Sequence, residues 1–114
     1  MPVTMQSSWT PVCRVTALVP ERGVAVLLAG GEQVAVFLLH DGEVAAVSNR
    51  DPFSGACVLS RGIVGDADGE PTVASPMYKQ RFSLRTGRCL DDPEVGVTTH
   101  PVRVLDGMVQ VGPP

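Results

Sequence analysis

Apolar residues in this chain come in short Val-rich runs, each closed by turn residues. Gly23 to Leu28 ends at Gly30-Gly31, Gln33 to Leu39 ends at Asp41-Gly42, and Val44 to Val47 follows. Runs of this length and composition between turn signals predict strands. Two of them joined across Asp-Gly predict a hairpin, because both central residues of a type I′ turn need φ > 0. The same device recurs near the end, where Pro101 to Leu105 leads through Asp106-Gly107 into Met108 to Val111. Val102 and Val104 alternate there with Arg103, and Val109 and Val111 with Gln110, so each strand has one buried and one wet face.

The middle of the chain has another character. Ser48 to Gly55 reads S-N-R-D-P-F-S-G and Gly65 to Pro71 reads G-D-A-D-G-E-P, two turn-rich stretches with no helical period. Both are expected to be long loops. Short strands are expected at Thr72 to Ala74 and at Arg81 to Leu84, and a brief turn at Leu59 to Val64, which Gly62 weakens. Phe53 and Val58, with Met77 and Tyr78 further on, make this region too apolar for disorder. Ordered loops on a β scaffold are where function concentrates. The expected fold class is all-β: an antiparallel sandwich of small stacked sheets with two long central loops.

Composition narrows the function classes. With 114 residues the chain is expected to form one domain, 1–114, able to bury a core without disulfide or metal. A formal charge of −3 offers no field that would attract nucleic acid or an anionic membrane. No apolar run approaches the ~18–20 residues of a membrane span. Met1 to Ser8 lacks the basic and apolar regions of a signal peptide, so the cytoplasm is the expected location. Cys13, Cys57 and Cys89 are odd in number and form no C-x-x-C pair, which reads as reduced thiols acting as small hydrophobes.

The run Ser75-Pro76-Met77-Tyr78-Lys79-Gln80-Arg81-Phe82-Ser83-Leu84-Arg85-Thr86-Gly87 resembles the second cluster-binding loop of Rieske iron–sulfur domains, C-P-x-H followed by R-F-x-L-x-T-G. Asn49-Arg50-Asp51 stands where that family has C-x-H. The resemblance covers Trp9 to Val111, so the domain core is expected at about 9–111. It implies a Rieske-like fold, and it also exposes a departure. A Rieske [2Fe–2S] centre takes two Cys thiolates and two His imidazoles, and the four positions carry Asn49, Asp51, Ser75 and Tyr78. None offers a thiolate or an imidazole, so no metal centre is expected in this chain. Within the family, N-R-D-P-F-S-G-A-x-V-L-S-R-G-I-V-G-D from Asn49 to Asp66, V-A-S-P-x-Y-K-Q-x-F from Val73 to Phe82 and C-L-D-D-P from Cys89 to Pro93 look like the small subunits of NADH-dependent assimilatory nitrite reductases. That likeness implies a large-subunit partner carrying FAD, a [4Fe–4S] cluster and sirohaem, on which nitrite is reduced to ammonium. It casts this chain as an accessory, non-catalytic subunit. The alternatives are a cluster-less protein-binding module and a Rieske ferredoxin-type electron carrier.

By the resemblance, the four altered positions converge where a cluster would sit, either bonded to one another or presented to a partner. Phe53, Met77 and Tyr78 are the candidate docking residues, and Tyr78 could alternatively plug the vacated space. Arg50, Arg61, Arg81, Arg85 and Arg88 read as exposed strand-edge and turn residues rather than an anion site. His40 and His100 read as lone surface histidines, without an acid and nucleophile at catalytic spacing. Trp9 is expected to anchor the first strand to the core.

Overall fold

The computed structural model describes residues 9–28 and 30–113. The Met1 to Ser8 reading therefore lies outside the described residues. Ten strands run β1 Thr10–Arg14, β2 Gly23–Leu27, β3 Gln33–Leu38, β4 Val44–Ser48, β5 Ile63–Ala67, β6 Glu70–Ala74, β7 Arg81–Ser83, β8 Thr99–His100, β9 Val102–Leu105 and β10 Met108–Val111. They form three antiparallel sheets, ordered β1-β10-β9, β2-β3-β4-β8 and β5-β6-β7. Among the described residues, helix is confined to two single 3₁₀ turns, Val15–Ala17 and Leu59–Arg61. The second lies in the expected Leu59 to Val64 turn. No helix among the described residues is long and apolar enough to cross a membrane.

The second sheet is the middle layer, and the side-chain alternation of its strands explains why. Val34 and Val36 of β3, with Ala46 of β4, pack against the first sheet beside Val109 and Val111. Ala35 and Phe37, with Val47, face the third sheet beside Val73 and Phe82. Val34 to Phe37 is fully buried. A strand covered on both faces needs an unbroken apolar run, which is what β3 has instead of alternation. Burying each of Val34, Val36 and Phe37 stabilises the fold by roughly 1.5–3 kcal/mol.

The turns correct two expectations. Asp106 (φ 53) and Gly107 (φ 78) form the expected type I′ turn. At Asp41-Gly42 only Gly42 is left-handed (φ 93), with Gly42 N–H on Leu39 O and Leu39 N–H on Glu43 O. That is a type I turn with a left-handed glycine, one residue longer than type I′. The second correction is larger. Gly65 to Pro71 is not a long loop, because β5 and β6 pair through it across a third Asp-Gly, with both Asp68 (φ 54) and Gly69 (φ 89) left-handed. Only one long loop, Asn49 to Val58, precedes the third sheet, and the short Ser75–Gln80 loop lies within it.

Candidate functional site

The two loops that match the cluster-binding motifs hang from neighbouring strand ends and are tied by side chains. The first follows β4 directly. Asp51 N–H donates to Ala56 O and Gly55 N–H to Asp51 O, closing a tight loop that Gly55 completes with φ 80. The second follows β6. Ser75 N–H donates to Gln80 O and Lys79 N–H to Ser75 O, with Lys79 itself left-handed at φ 68.

Asp51 is fully buried and Ser75 is equally so. The Ser75 hydroxyl donates to Asp51 Oδ2 at 2.6 Å, joining the loops. Ser54 Oγ donates to the same oxygen at 3.1 Å, and Phe53 N–H to Oδ1 at 2.9 Å. Ser75 Oγ also accepts Met77 N–H at 3.2 Å. The carboxylate thus has donors on both oxygens, which is how a buried charge is made tolerable. Asn49, also buried, works on the other side of the loop. Its Nδ2 donates to Cys57 O and Gln33 Oε1, each at 3.2 Å, and its Oδ1 accepts Ser60 N–H at 2.7 Å.

The expected convergence is therefore partial. Asp51 and Ser75 meet, whereas the bonds of Asn49 go to β3 and to the 3₁₀ turn. Tyr78 neither meets them nor plugs the interior, since it is 60% exposed. Its place next to Lys79, in a four-residue turn with its side chain outward, is a product of loop shape that the motif alone does not reveal. Met77 is 46% exposed beside it. Phe53 is half-buried, its ring tilted 45° against Phe82 with centroids 6.1 Å apart, so it packs on the core. Two apolar side chains that sequence reasoning missed share this end: Ile63, 70% exposed at the start of β5, and Leu27, 68% exposed at the end of β2. Ile63 pairs with Ala74, just before the second loop, and Leu27 pairs with Gln33, which holds Asn49. Register creates both adjacencies, and only the apolar character of the two residues hints at them in the sequence. Gln80 Oε1 is buried there with no hydrogen-bond partner among the described residues.

Other candidates separate. Arg81 pairs with Asp91 (3.1 Å) and Arg85 with Glu43 (3.4 Å), both exposed. The hydrogen bond from Arg81 holds the Asp91 carboxyl below the usual range. Arg50, Arg61 and Arg88 are exposed, as expected. His40 is at the surface, 3.7 Å from Glu21. His100 is not: it is buried, with Nδ1 3.0 Å from Gly112 O and Nε2 3.2 Å from Glu32 Oε2. It ties β8 to the β2–β3 turn and to Gly112, just past β10, a role its sequence neighbours do not announce. All three thiols are free, but only Cys89 is buried, while Cys13 is half-buried and Cys57 exposed. Burial raises the Cys13 thiol. Trp9 lies against Gly112, with the Arg103 guanidinium 4.3 Å from its ring centroid.

Residues 8–112 match the family described as Rieske-like [2Fe-2S] domain. The nitrite reductase (NADH) small subunit of Escherichia coli K12 is 46% identical over 106 residues, spanning 92% of this chain and 97% of that protein. The chain belongs to the Rieske-like family, in its nitrite reductase small-subunit branch. A crystal structure from Mycobacterium tuberculosis, assigned as an NADH-dependent nitrite reductase small subunit, superposes with a TM-score of 0.92 at 53% identity. It covers 96% of this chain and 98% of that one. A nitrite reductase [NAD(P)H] large subunit of Klebsiella oxytoca is 44% identical over 111 residues, 97% of this chain but 11% of that protein.

The family's name implies a [2Fe–2S] cluster, and the residues present do not fit one. The positions offer an amide, a carboxylate with both oxygens engaged, a hydroxyl donating to that carboxylate and an outward phenol. A Rieske centre needs thiolates on one iron and imidazoles on the other. Among the described residues, no three His, Cys, Asp or Glu side chains gather as a metal site requires.

Proposed function

We propose that this chain is the accessory small subunit of an NADH-dependent nitrite reductase, holding no cluster and docking on the large subunit through its two former cluster loops. The observation that carries this is the Asp51–Ser75 bond. Where a cluster would bridge the two loops, a fully buried carboxylate–hydroxyl pair at 2.6 Å bridges them instead. The loops are thereby held as a rigid tip without metal, and what they present outward is apolar: Met77 and Tyr78, flanked by Ile63 and Leu27. Exposed aromatic and methionine side chains on a preformed surface are the usual anchors of an interface. Phe53 supports that tip from below. Arg50 of the first loop and Lys79 of the second are exposed as well.

The chemistry of reducing nitrite to ammonium with NADH belongs to the partner, with its FAD, [4Fe–4S] cluster and sirohaem. The match of nearly the whole chain to about a tenth of a Klebsiella large subunit supports the pairing, since there the domain and the large subunit share one polypeptide. An electron-carrier role is opposed by the donor set at all four ligand positions.

The test is to purify the chain and measure its iron, its visible spectrum, its nitrite-dependent NADH oxidation and its binding to the purified large subunit. Expected are no stoichiometric iron, no absorbance above about 400 nm, no activity alone, and binding. Iron with a charge-transfer spectrum, or turnover by the chain alone, would overturn the reading.

A further inference from the structure

The sheets of this molecule have several edges, and all but one are blunted against further pairing. β1 carries Pro11 and a register shift between Pro11 and Cys13. β9 follows Pro101 and carries Arg103, and β5 carries Gly65 and Asp66. β7 is covered where Phe82 bridges to Cys89, and β8 is two residues long. Proline, charge, bulges, brevity and cover are the devices by which edges are kept from pairing. β2, the outer strand of the second sheet, has none of them beyond Gly23, where the Ser60 backbone packs against it. Its sequence is G-V-A-V-L, its register with β3 is unbroken, and Val24, Ala25 and Leu27 are exposed.

The free backbone groups can be assigned. Leu28 N–H donates to Glu32 O at the mouth of the β2–β3 hairpin. Alternation then points Val26 and Val24 toward β3 and turns the N–H and C=O of Ala25 and Leu27 outward. No hydrogen bond among the described residues engages them. The edge also runs into the docking tip, since Leu27 pairs with Gln33, whose side chain accepts from Asn49, and Asn49 also holds the Cys57 carbonyl.

We propose that β2 is a strand-addition site, where an extended, uncharged, apolar segment of the large subunit joins the second sheet. This rests on the docking role proposed above and extends the interface from the loop tip along the edge. A second copy of this chain is a poorer occupant. A five-residue edge alone is only about 17 Å long, too short a contact by itself to reach the roughly 1,200 Å² that a stable interface buries. A large subunit that already holds the tip gains the edge contact as an extension of the same surface.

The experiment is hydrogen exchange at the Ala25 and Leu27 amides, in the free chain and in its complex with the purified large subunit. Fast exchange when free and slowed exchange in the complex is the expected result. Amides that stay fast in a formed complex overturn the edge proposal and leave the docking role standing. Failure of the parent chain to bind overturns both. Amides already slow in the free chain show the edge filled without the large subunit, by this chain or a second copy, and overturn it too. Ala25→Pro gives a second readout. Its missing N–H faces away from β3, where an edge strand admits proline, so affinity should fall about tenfold or more while Ala25→Ser binds like the parent. A folded Ala25→Pro chain with parental affinity contradicts the proposal.

Discussion

A buried carboxylate facing no cation is tolerated only where donors meet both of its oxygens, and Asp51 meets that condition through Phe53 N–H, Ser54 and Ser75. Asp51→Ala strips the acceptor from three donors and should cost about 3 kcal/mol of stability. Ser75→Ala should cost less. Because the two share one bond, the double variant should be more stable than the sum of the single effects implies, by roughly 1 kcal/mol or more. Denaturant unfolding of the four chains measures this, and strict additivity would show that the loops are not joined there. Asp91 behaves differently because it is exposed. Arg81 lowers its pKa, so its contribution is present above the unfolded carboxylate range, near pH 4, and is lost as pH falls through the folded value. The Asp91→Asn chain should therefore melt slightly below the parent at neutral pH and converge with it in acid. High salt should shrink the small gap. A gap independent of pH would contradict the pairing.

At the scale of elements, Phe53 and Tyr78 were alike in the sequence as apolar groups in candidate loops, and the fold divides them. Phe53→Ala opens the contact with Phe82 and should lower stability by about 2–3 kcal/mol, whereas Tyr78→Ala should melt like the parent. Thermal unfolding separates them. The strands around β3 were legible because their Val runs and turn residues agree. β5 was not, since Gly65, Asp66 and Asp68 look like loop residues and the third Asp-Gly was read as part of a loop rather than as the turn of a hairpin. Asn49, Asp51 and Ser75 were legible as altered ligand positions because the surrounding motif is long. Their bonding was not: Gln33 and Ser75 lie far from Asn49 and Asp51 in sequence, and only the register of β3, β4 and β6 brings them close. His100 was misplaced at the surface for the same reason, its partner Glu32 being 68 positions away. Glycine 23 is another register effect. A methyl there would meet the Ser60 backbone and come within 2.6 Å of the Phe37 ring, so Gly23→Ala should destabilise the fold although its backbone conformation suits alanine.

Across the whole molecule, the layers set the chain ends apart from the two loops. β1 and β10 pair in the first sheet, with Thr10 opposite Val111, so the two ends of the described chain lie side by side. The tip loops are packed on the opposite side of the middle sheet, in the cluster that holds Phe53, Phe82 and Cys89. A domain tethered at its ends can thus still present these loops. The most direct measurement is the dissociation constant of the Tyr78→Ala chain for the purified large subunit, taken beside the parent by titration calorimetry. If the loop tip is the docking face, the cluster-free parent binds and Tyr78→Ala, still folded, binds about thirtyfold more weakly, near 2 kcal/mol. Equal affinity of the folded variant and the parent would contradict it.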